Sequence, residues 1–190
     1  MGQLQRYSEW KEFIPDYRQK KLEKKHIYSS VVKDVISELG VMDVIDFGCG
    51  DGALCTLFAK NRYLGLDKDD DVLKKAQQVF EGYAFKKPEK QVFSADLCIA
   101  SDVFNEINDQ NIDAILARLR CKWLLIAEPL KHETKDLIHP FHSRDKDGYV
   151  KLMRAHDLLL MKKIRKTIAG QGNKEVTFLL FKKATKNPVA

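Results

Sequence analysis

The segment V-I-D-F-G-C-G-D-G at residues 44–52 is the part of the sequence that best fits a ligand-binding turn. Gly48, Gly50 and Gly52 stand at alternate positions, and the acid Asp46 precedes them. Because glycine lacks a Cβ, a strand that turns into a helix on such residues brings backbone N–H groups close to a ligand. The pattern indicates a nucleotide-type binding site, and a glycine-rich turn without a ligand is the alternative.

A second acid, Asp67, lies 19 residues after Gly48, at the end of the short apolar segment 62–67. In dinucleotide-binding folds an acid about 20 residues further on accepts hydrogen bonds from ribose hydroxyls. Asp67 is therefore predicted to bind a ribose, with capping of the next helix as the alternative. The spacing G-x-G-x-G differs from the G-x-G-x-x-G of dehydrogenases that bind a pyrophosphate, which disfavours that class.

Alternating strands and helices must position these residues. The apolar periodicity predicts helices at 4–14, 27–39, 52–60, 71–80, 110–120 and 146–156. Between and after them it predicts strands at 43–48, 62–67, 123–127, 158–168 and 176–181. One of Asp69, Asp70 and Asp71 is expected to cap the helix at 71–80. Gly170 and Gly172 indicate a hairpin between the last two strands.

The glycine segment resembles the first motif of class I S-adenosylmethionine (SAM)-dependent methyltransferases, with Asp46 at the leading acid position. The resemblance spans residues 27–183. It implies an α/β fold: a three-layer, Rossmann-like sandwich with a mostly parallel seven-stranded sheet, a C-terminal antiparallel hairpin and extra N-terminal helices. Residues 1–26 are then a basic helical extension, and residues 27–190 the methyltransferase domain.

The resemblance also implies SAM as the methyl donor and S-adenosylhomocysteine as its product. The residues expected to bind the cofactor are Asp46, Gly48, Cys49, Gly50, Gly52, Asp67, Lys68, Asp102 and Asn105. Candidates for a catalytic base are Glu106, His139 and His142. The family often has Glu-His where this chain has Asn105-Glu106, so no histidine role is transferred there.

The third strand has two possible registers, 83–87 or 91–95. With the strand at 91–95, Asp96 is the acid that binds the adenine amino group. With the strand at 83–87, which we favour, the fourth strand runs over 95–101 and Asp96 begins it. Main-chain groups or a residue in 86–94 would then contact the adenine.

Cysteine and histidine spacing predicts no metal site. Cys49, Cys55, Cys98 and Cys121 fit neither a zinc site nor a C-x-x-C redox pair, so buried free thiols are expected. His132, His139 and His142 do not have a helical metal-ligand spacing. The first ten residues lack a signal-peptide apolar segment and no apolar run reaches the roughly 20 residues of a membrane span, so we expect a cytoplasmic protein without a membrane partner.

The net charge of +6 is concentrated at the ends of the chain. Residues 144–190 carry 12 basic and 4 acidic residues, whereas residues 36–143 carry 13 and 18. Basic ends suit an anionic substrate or nucleic acid, or simply form a solvated surface. Three functions stay open: methyl transfer to an N or O nucleophile of a small molecule, which is preferred; methylation of rRNA or tRNA held by the basic ends; and an inactive SAM-binding interaction subunit.

Overall fold

The computed structural model describes residues 17–128, 130, 142, 144–168 and 174–185, with only the backbone for 17–24 and 174. The helices are α1 (Tyr17–Leu39), α2 (Asp70–Val79), α3 (Asp109–Leu116) and α4 (Lys146–Arg154). The strands are β1 (Val44–Phe47), β2 (Tyr63–Leu66), β3 (Ala84–Lys86), β4 (Phe93–Ser101), β5 (Leu119–Glu128), β6 (Leu158–Ile168) and β7 (Lys174–Lys183).

All seven strands form one sheet in the order β3-β2-β1-β4-β5-β7-β6. The pairs from β3 to β5 are parallel, whereas β7 runs antiparallel to both β5 and β6. The expected mostly parallel sheet with a C-terminal antiparallel hairpin is confirmed. The chain order reverses between β1 and β4, and in open α/β sheets ligands bind beside the carboxyl ends of strands at such a point.

Helices cover both faces of the sheet. On one face α1 buries Val31, Val32 and Val35 in a cluster with apolar residues of β4, β5 and β7. On the other face α3 and α4 bury residues such as Ile112 and Tyr149 against β1, β4 and β5. Burial of each apolar stripe holds the three layers together and fixes the carboxyl edge of the sheet.

The predicted helix at 52–60 is wrong. The chain instead makes two short 3₁₀ turns, at Cys55–Leu57 and Lys60–Arg62, separated by extended backbone at Phe58 and Ala59. Leu54 packs beneath α1, whereas Cys55 packs in a separate cluster with Tyr63 and Phe85. These neighbouring side chains serve two different clusters, so the segment does not keep one helical stripe.

The favoured register of the third strand is confirmed, because β3 covers Ala84–Lys86 and β4 continues to Ser101. Asp96 therefore lies inside β4. Its carboxylate accepts hydrogen bonds from the amides of Met42 and Asp43 and from Lys122 at the amino edge of the sheet. The alternative in which Asp96 binds adenine is thus excluded by its position.

Other boundaries differ by a few residues. Strand β5 begins at Leu119, four residues before the predicted start, and β7 extends to Lys183. All four cysteines are buried and free, as expected. The predicted helix at 4–14 and the hairpin turn at 170–172 lie outside the described residues. Because α1 runs unbroken past residue 26, the division between an extension and a domain there stays a prediction.

Candidate functional site

The glycine turn follows β1 and is tied to the end of β2. Gly48, Gly50 and Gly52 have φ angles of 75°, 53° and 77°, in the left-handed region that favours glycine. The amides of Gly48 and Cys49 both donate to the carbonyl of Leu66, at 2.7 and 3.0 Å. These two N–H groups therefore fix the shape of the turn against β2.

The three glycines differ in what surrounds them. A Cβ on Gly48 would lie 2.8 Å from Cγ2 of Val103, and a Cβ on Gly52 would lie 2.8 Å from the ring of Phe85. A Cβ on Gly50 would have no atom within 4 Å. Gly48 and Gly52 thus permit close packing, whereas Gly50 borders open space beside the carboxyl edge of the sheet.

Asp67 directly follows β2 and joins this turn. Its Oδ2 accepts the Gly50 amide and its Oδ1 accepts the Asp69 amide, both at 3.0 Å. Asp69, and not Asp67, caps α2, because its Oδ1 accepts from the amides of Asp71 and Val72. The capping alternative for Asp67 is therefore wrong, while the neighbouring Lys68 is exposed.

Asp46 is buried beneath the turn and accepts a 2.8 Å hydrogen bond from the hydroxyl of Tyr63. Burial raises its pKa to about 7; the Tyr63 hydrogen bond lowers it, and the charges of Asp67 and Asp51 raise it further. Asp46 therefore changes charge near neutral pH, directly below the glycines. Its position supports the turn through Tyr63 and β2.

Cys49 lies inside the turn, but its thiol packs away from the open space. The side chain is buried in a cluster with Tyr63, Leu73 and Phe85. Burial raises the pKa of the thiol well above its usual range, so the sulfur stays protonated. Cys49 can contact a ligand only through its backbone in this arrangement.

The segment after β4 lies against the glycine turn. Asp102 has φ 55°, an uncommon value for a residue with a side chain, and its amide donates to the carbonyl of Ala127. The hydroxyl of Tyr28 in α1 donates to Asp102 Oδ2 at 3.3 Å. Together with the Val103–Gly48 contact, this brings Asp102 and the glycine turn to one edge, as expected.

Two residues that sequence reasoning missed hold this segment in place. Glu128, buried at the end of β5, accepts the amides of Val103 and Phe104, each at 2.8 Å. Arg144 donates to the carbonyls of Phe104 and Ile107 at 2.8 and 2.7 Å. The sequence offers one signal for Glu128, because it is an acid that ends an otherwise apolar strand. Its hydrogen-bond partners could not be predicted, since they are distant in the chain.

Two buried oxygens beside this segment, Oγ of Ser101 and Oδ1 of Asn105, have no hydrogen-bond partner among the described residues. The hydroxyl of Tyr149 is also buried, and the Arg144 guanidinium lies beside its ring. Burial and the charge of Glu128 raise the pKa of Tyr149, so its hydroxyl stays protonated. Asn105 therefore offers an acceptor, and Tyr149 a donor, near the carboxyl end of β4.

The three candidate bases are not brought together among the described residues. Glu106 lies in the 3₁₀ turn Phe104–Glu106 and is exposed. His142 is exposed, and its carbonyl accepts from Arg144. His139 lies outside the described residues.

Comparisons with known proteins bear on the family and the fold of this chain. Residues 3–163 match the model of a family described as a methyltransferase domain. Magnesium protoporphyrin IX methyltransferase from Synechocystis PCC 6803, crystallised with bound SAH, superposes with a TM-score of 0.69, at 14% identity over 94% of both chains. The methyltransferase domain of bacterial CtHen1 gives a TM-score of 0.66, at 17% identity over 83% of this chain and 97% of that one.

A third similar structure is a putative methyltransferase in complex with the Haloferax volcanii Trm112 methyltransferase activator. It gives a TM-score of 0.68 at 14% identity, covering 90% of this chain and 94% of that one. At such identities these likenesses show a shared fold. No curated protein sequence matches significantly. In the described part of the chain, none of the helices has both the length and the apolar composition of a membrane span.

Proposed function

Because this chain belongs to the methyltransferase domain family of class I SAM-dependent enzymes, we propose that it methylates an N or O nucleophile of a small molecule. The proposed position of the SAM-binding site rests on the contact between Asp67 and the glycine turn. There a carboxylate lies 3.0 Å from the Gly50 amide, beside a glycine that borders open space.

The residues at this junction fit a nucleoside with a methionyl tail. A carboxylate can accept about four hydrogen bonds, and the amides of Gly50 and Asp69 use two of those of Asp67. We assign the remaining two lone pairs to the ribose hydroxyls. The backbone at Cys49 and Gly50 then borders the methionyl part, with Gly48 and Gly52 shaping the turn and Asp46 supporting it from below.

SAM, when bound, supplies an electrophilic methyl group on a sulfonium and requires no metal. The chain must then orient the acceptor and exclude water, which can lower a barrier by about 7–11 kcal/mol in favourable geometries. Asp102 and Asn105 are proposed to position the donor or the acceptor. Lys68 is exposed and is proposed to contact the outer part of the cofactor.

A base is required only if the nucleophile is protonated at the working pH. Glu106, His139 and His142 stay candidates for that role. Glu106 lies in a turn that Glu128 and Arg144 hold in place. Its exposure suits proton exchange with solvent.

The charge at the carboxyl edge supports a small neutral or cationic acceptor. Among the described residues, the ionisable side chains next to the glycine turn are mostly acidic: Asp51, Asp67, Asp69, Asp71, Asp102 and Glu106, with Lys68. Lys87 follows β3 at the same edge and pairs with Asp70. Arg144 is occupied by Asp109 and by carbonyls. The acids around the glycine turn disfavour a phosphate of an RNA acceptor placed beside them.

Calorimetry with S-adenosylhomocysteine tests the cofactor assignment. Asp67→Ala should weaken binding at least tenfold, since two charge-assisted hydrogen bonds are lost. Asp70→Asn is the matched control, because Asp70 is a nearby acid that pairs with Lys87 on the surface. Unchanged affinity in Asp67→Ala would remove this residue from the proposed site.

The acceptor class is tested by measuring S-adenosylhomocysteine formation with small amines and alcohols, in parallel with tRNA and rRNA. Turnover of a small acceptor alone supports the proposal. Turnover of RNA alone replaces it with the RNA alternative. Cofactor binding without turnover of any acceptor would favour an inactive binding subunit.

A further inference from the structure

A second concave surface lies at the opposite, amino edge of the parallel strands. It is a groove with a volume of about 670 Å³, within the range of small-molecule sites. Its lining comes from the starts of β4 and β5, the end of β7 and the residue before β1. We call it the amino-edge groove; the residues that matter below are Arg120, Lys122, Trp123, Lys182 and Lys183.

The amino-edge groove has an excess of positive charge. Its two acids are already paired, Asp96 with Lys122 at 2.7 Å and Asp43 with Arg62 at 3.0 Å. Within the described part of the chain, Arg120 and Lys182 have no carboxylate partner. A phosphate would therefore meet two cations that no acid neutralises.

An aromatic ring lies beside these cations. The ammonium of Lys182 is 5.2 Å from the centre of the Trp123 ring, and the ring is half-buried in the sheet. The ammonium lies over the ring, so a phosphate that draws Lys182 towards Arg120 would uncover the indole face, on which a nucleobase can then stack. Lys183 donates to the carbonyl of His156, which holds the end of β7 beside the groove.

We infer that the amino-edge groove binds a nucleotide, with its phosphate on Arg120 and Lys182 and its base on Trp123. The nucleotide is either free or part of a single-stranded RNA, because both present the same phosphate and base. This site lies at the edge of the sheet opposite Asp67, so it is separate from the proposed cofactor site. It gives the basic carboxyl-terminal segment a role other than holding a methyl acceptor.

The test measures binding of adenosine 5′-monophosphate and of a five-residue adenylate RNA by calorimetry and by quenching of tryptophan fluorescence. We expect saturable binding that weakens with salt, and a quench that is lost in Trp123→Phe. The double variant Arg120→Ala/Lys182→Ala should weaken binding at least tenfold. Lys74→Ala/Lys75→Ala removes the same charge from the exposed face of α2 and is the matched control.

The two probes distinguish the sources of the nucleotide. Similar affinities indicate a free nucleotide, and much tighter binding of the RNA indicates a strand. The inference is overturned if neither probe binds saturably, or if both double variants weaken binding equally. It is also overturned if Asp67→Ala abolishes binding while the groove variant does not, because the adenosine then occupies the cofactor site.

Discussion

Val103 packs against Gly48 so closely that a Cβ on the glycine would lie 2.8 Å from the valine Cγ2. This contact joins the turn after β1 to the segment after β4. Glu128 accepts the Val103 amide, and that segment continues into the turn that Arg144 holds. Glu128 and Arg144 therefore support the shape of the glycine turn indirectly, through the segment that contains Val103.

Gly48→Ala should destabilise the fold and weaken binding of S-adenosylhomocysteine. The variant combines a φ of 75° with a clash against Val103. Strain in the left-handed region costs about 1–2 kcal/mol, and overpacking adds about 1–3 kcal/mol. Chemical denaturation and calorimetry measure the two effects.

A double variant separates the two causes. Gly48→Ala/Val103→Ala should recover the part of the stability that the clash removes, while the strain at φ 75° remains. Val103→Ala alone is the reference for the cycle. Purely additive losses would contradict the close contact.

Gly50→Ala should weaken binding of S-adenosylhomocysteine far more than it affects folding. Gly40 is a matched control, because its φ of 60° is close to the 53° of Gly50 and neither Cβ would have an atom within 4 Å. Both variants should lose about 1 kcal/mol of stability from strain. Only the Cβ on Gly50 would enter the proposed cofactor space, so equal affinities in both variants would contradict that placement.

Glu128 is expected to position the Val103–Phe104 segment, and its removal should weaken cofactor binding. Glu128→Leu leaves two amides without their acceptor, which should cost about 3 kcal/mol of stability and at least tenfold in affinity. Glu128→Gln keeps an oxygen acceptor and should retain most of the affinity. Calorimetry well below the unfolding temperature measures the folded protein alone.

Leu119→Ala is the control for the loss of stability. Leu119 is buried at the other end of the same strand, and its truncation should cost about 2–3 kcal/mol without changing cofactor affinity. If both variants lose affinity in proportion to their stability, Glu128 has only a structural role.

Sequence patterns located most of the architecture because glycines, acids and apolar runs act locally. The cap by Asp69 follows from short-range chemistry of that kind. The adjacency of Asp67 to the glycine turn follows once β1 and β2 pair as neighbouring parallel strands. The missed features depend on long-range packing. Phe58 stacks on Tyr63 with ring centres 5.6 Å apart, and its extended backbone ends a segment whose spacing predicts a helix.

The same limit explains why Glu128, Arg144 and Tyr28 were missed at the candidate site. Tyr28 reaches Asp102 across 74 positions of the chain, and Arg144 reaches Phe104 across 40. Such contacts are determined only when the layers of the sandwich pack. No local spacing in the sequence predicts these long-range contacts. Glu128 alone offers a sequence signal, because an acid that ends an apolar strand is costly to bury without hydrogen-bond partners.

The pH dependence of stability should report the buried carboxyl of Asp46. Its pKa is raised from 3.8 to about 7, so between these values the folded protein binds a proton that the unfolded chain releases. The contribution of Asp46 to the free energy of unfolding is therefore highest below about pH 4. It falls by up to about 1.4 kcal/mol per pH unit as the pH rises to 7, and it does not change further above pH 7.

Asp46→Asn should remove this slope, and Tyr63→Phe should extend it to higher pH because the hydrogen bond that lowers the pKa is lost. Asp96→Asn is the control: Lys122 lowers the pKa of Asp96 to about 2, so its contribution is present above about pH 4 and lost only as pH falls towards 2. Denaturant unfolding from pH 4 to 8 measures all three. An Asp46→Asn variant with the wild-type slope would show that another group titrates in this window.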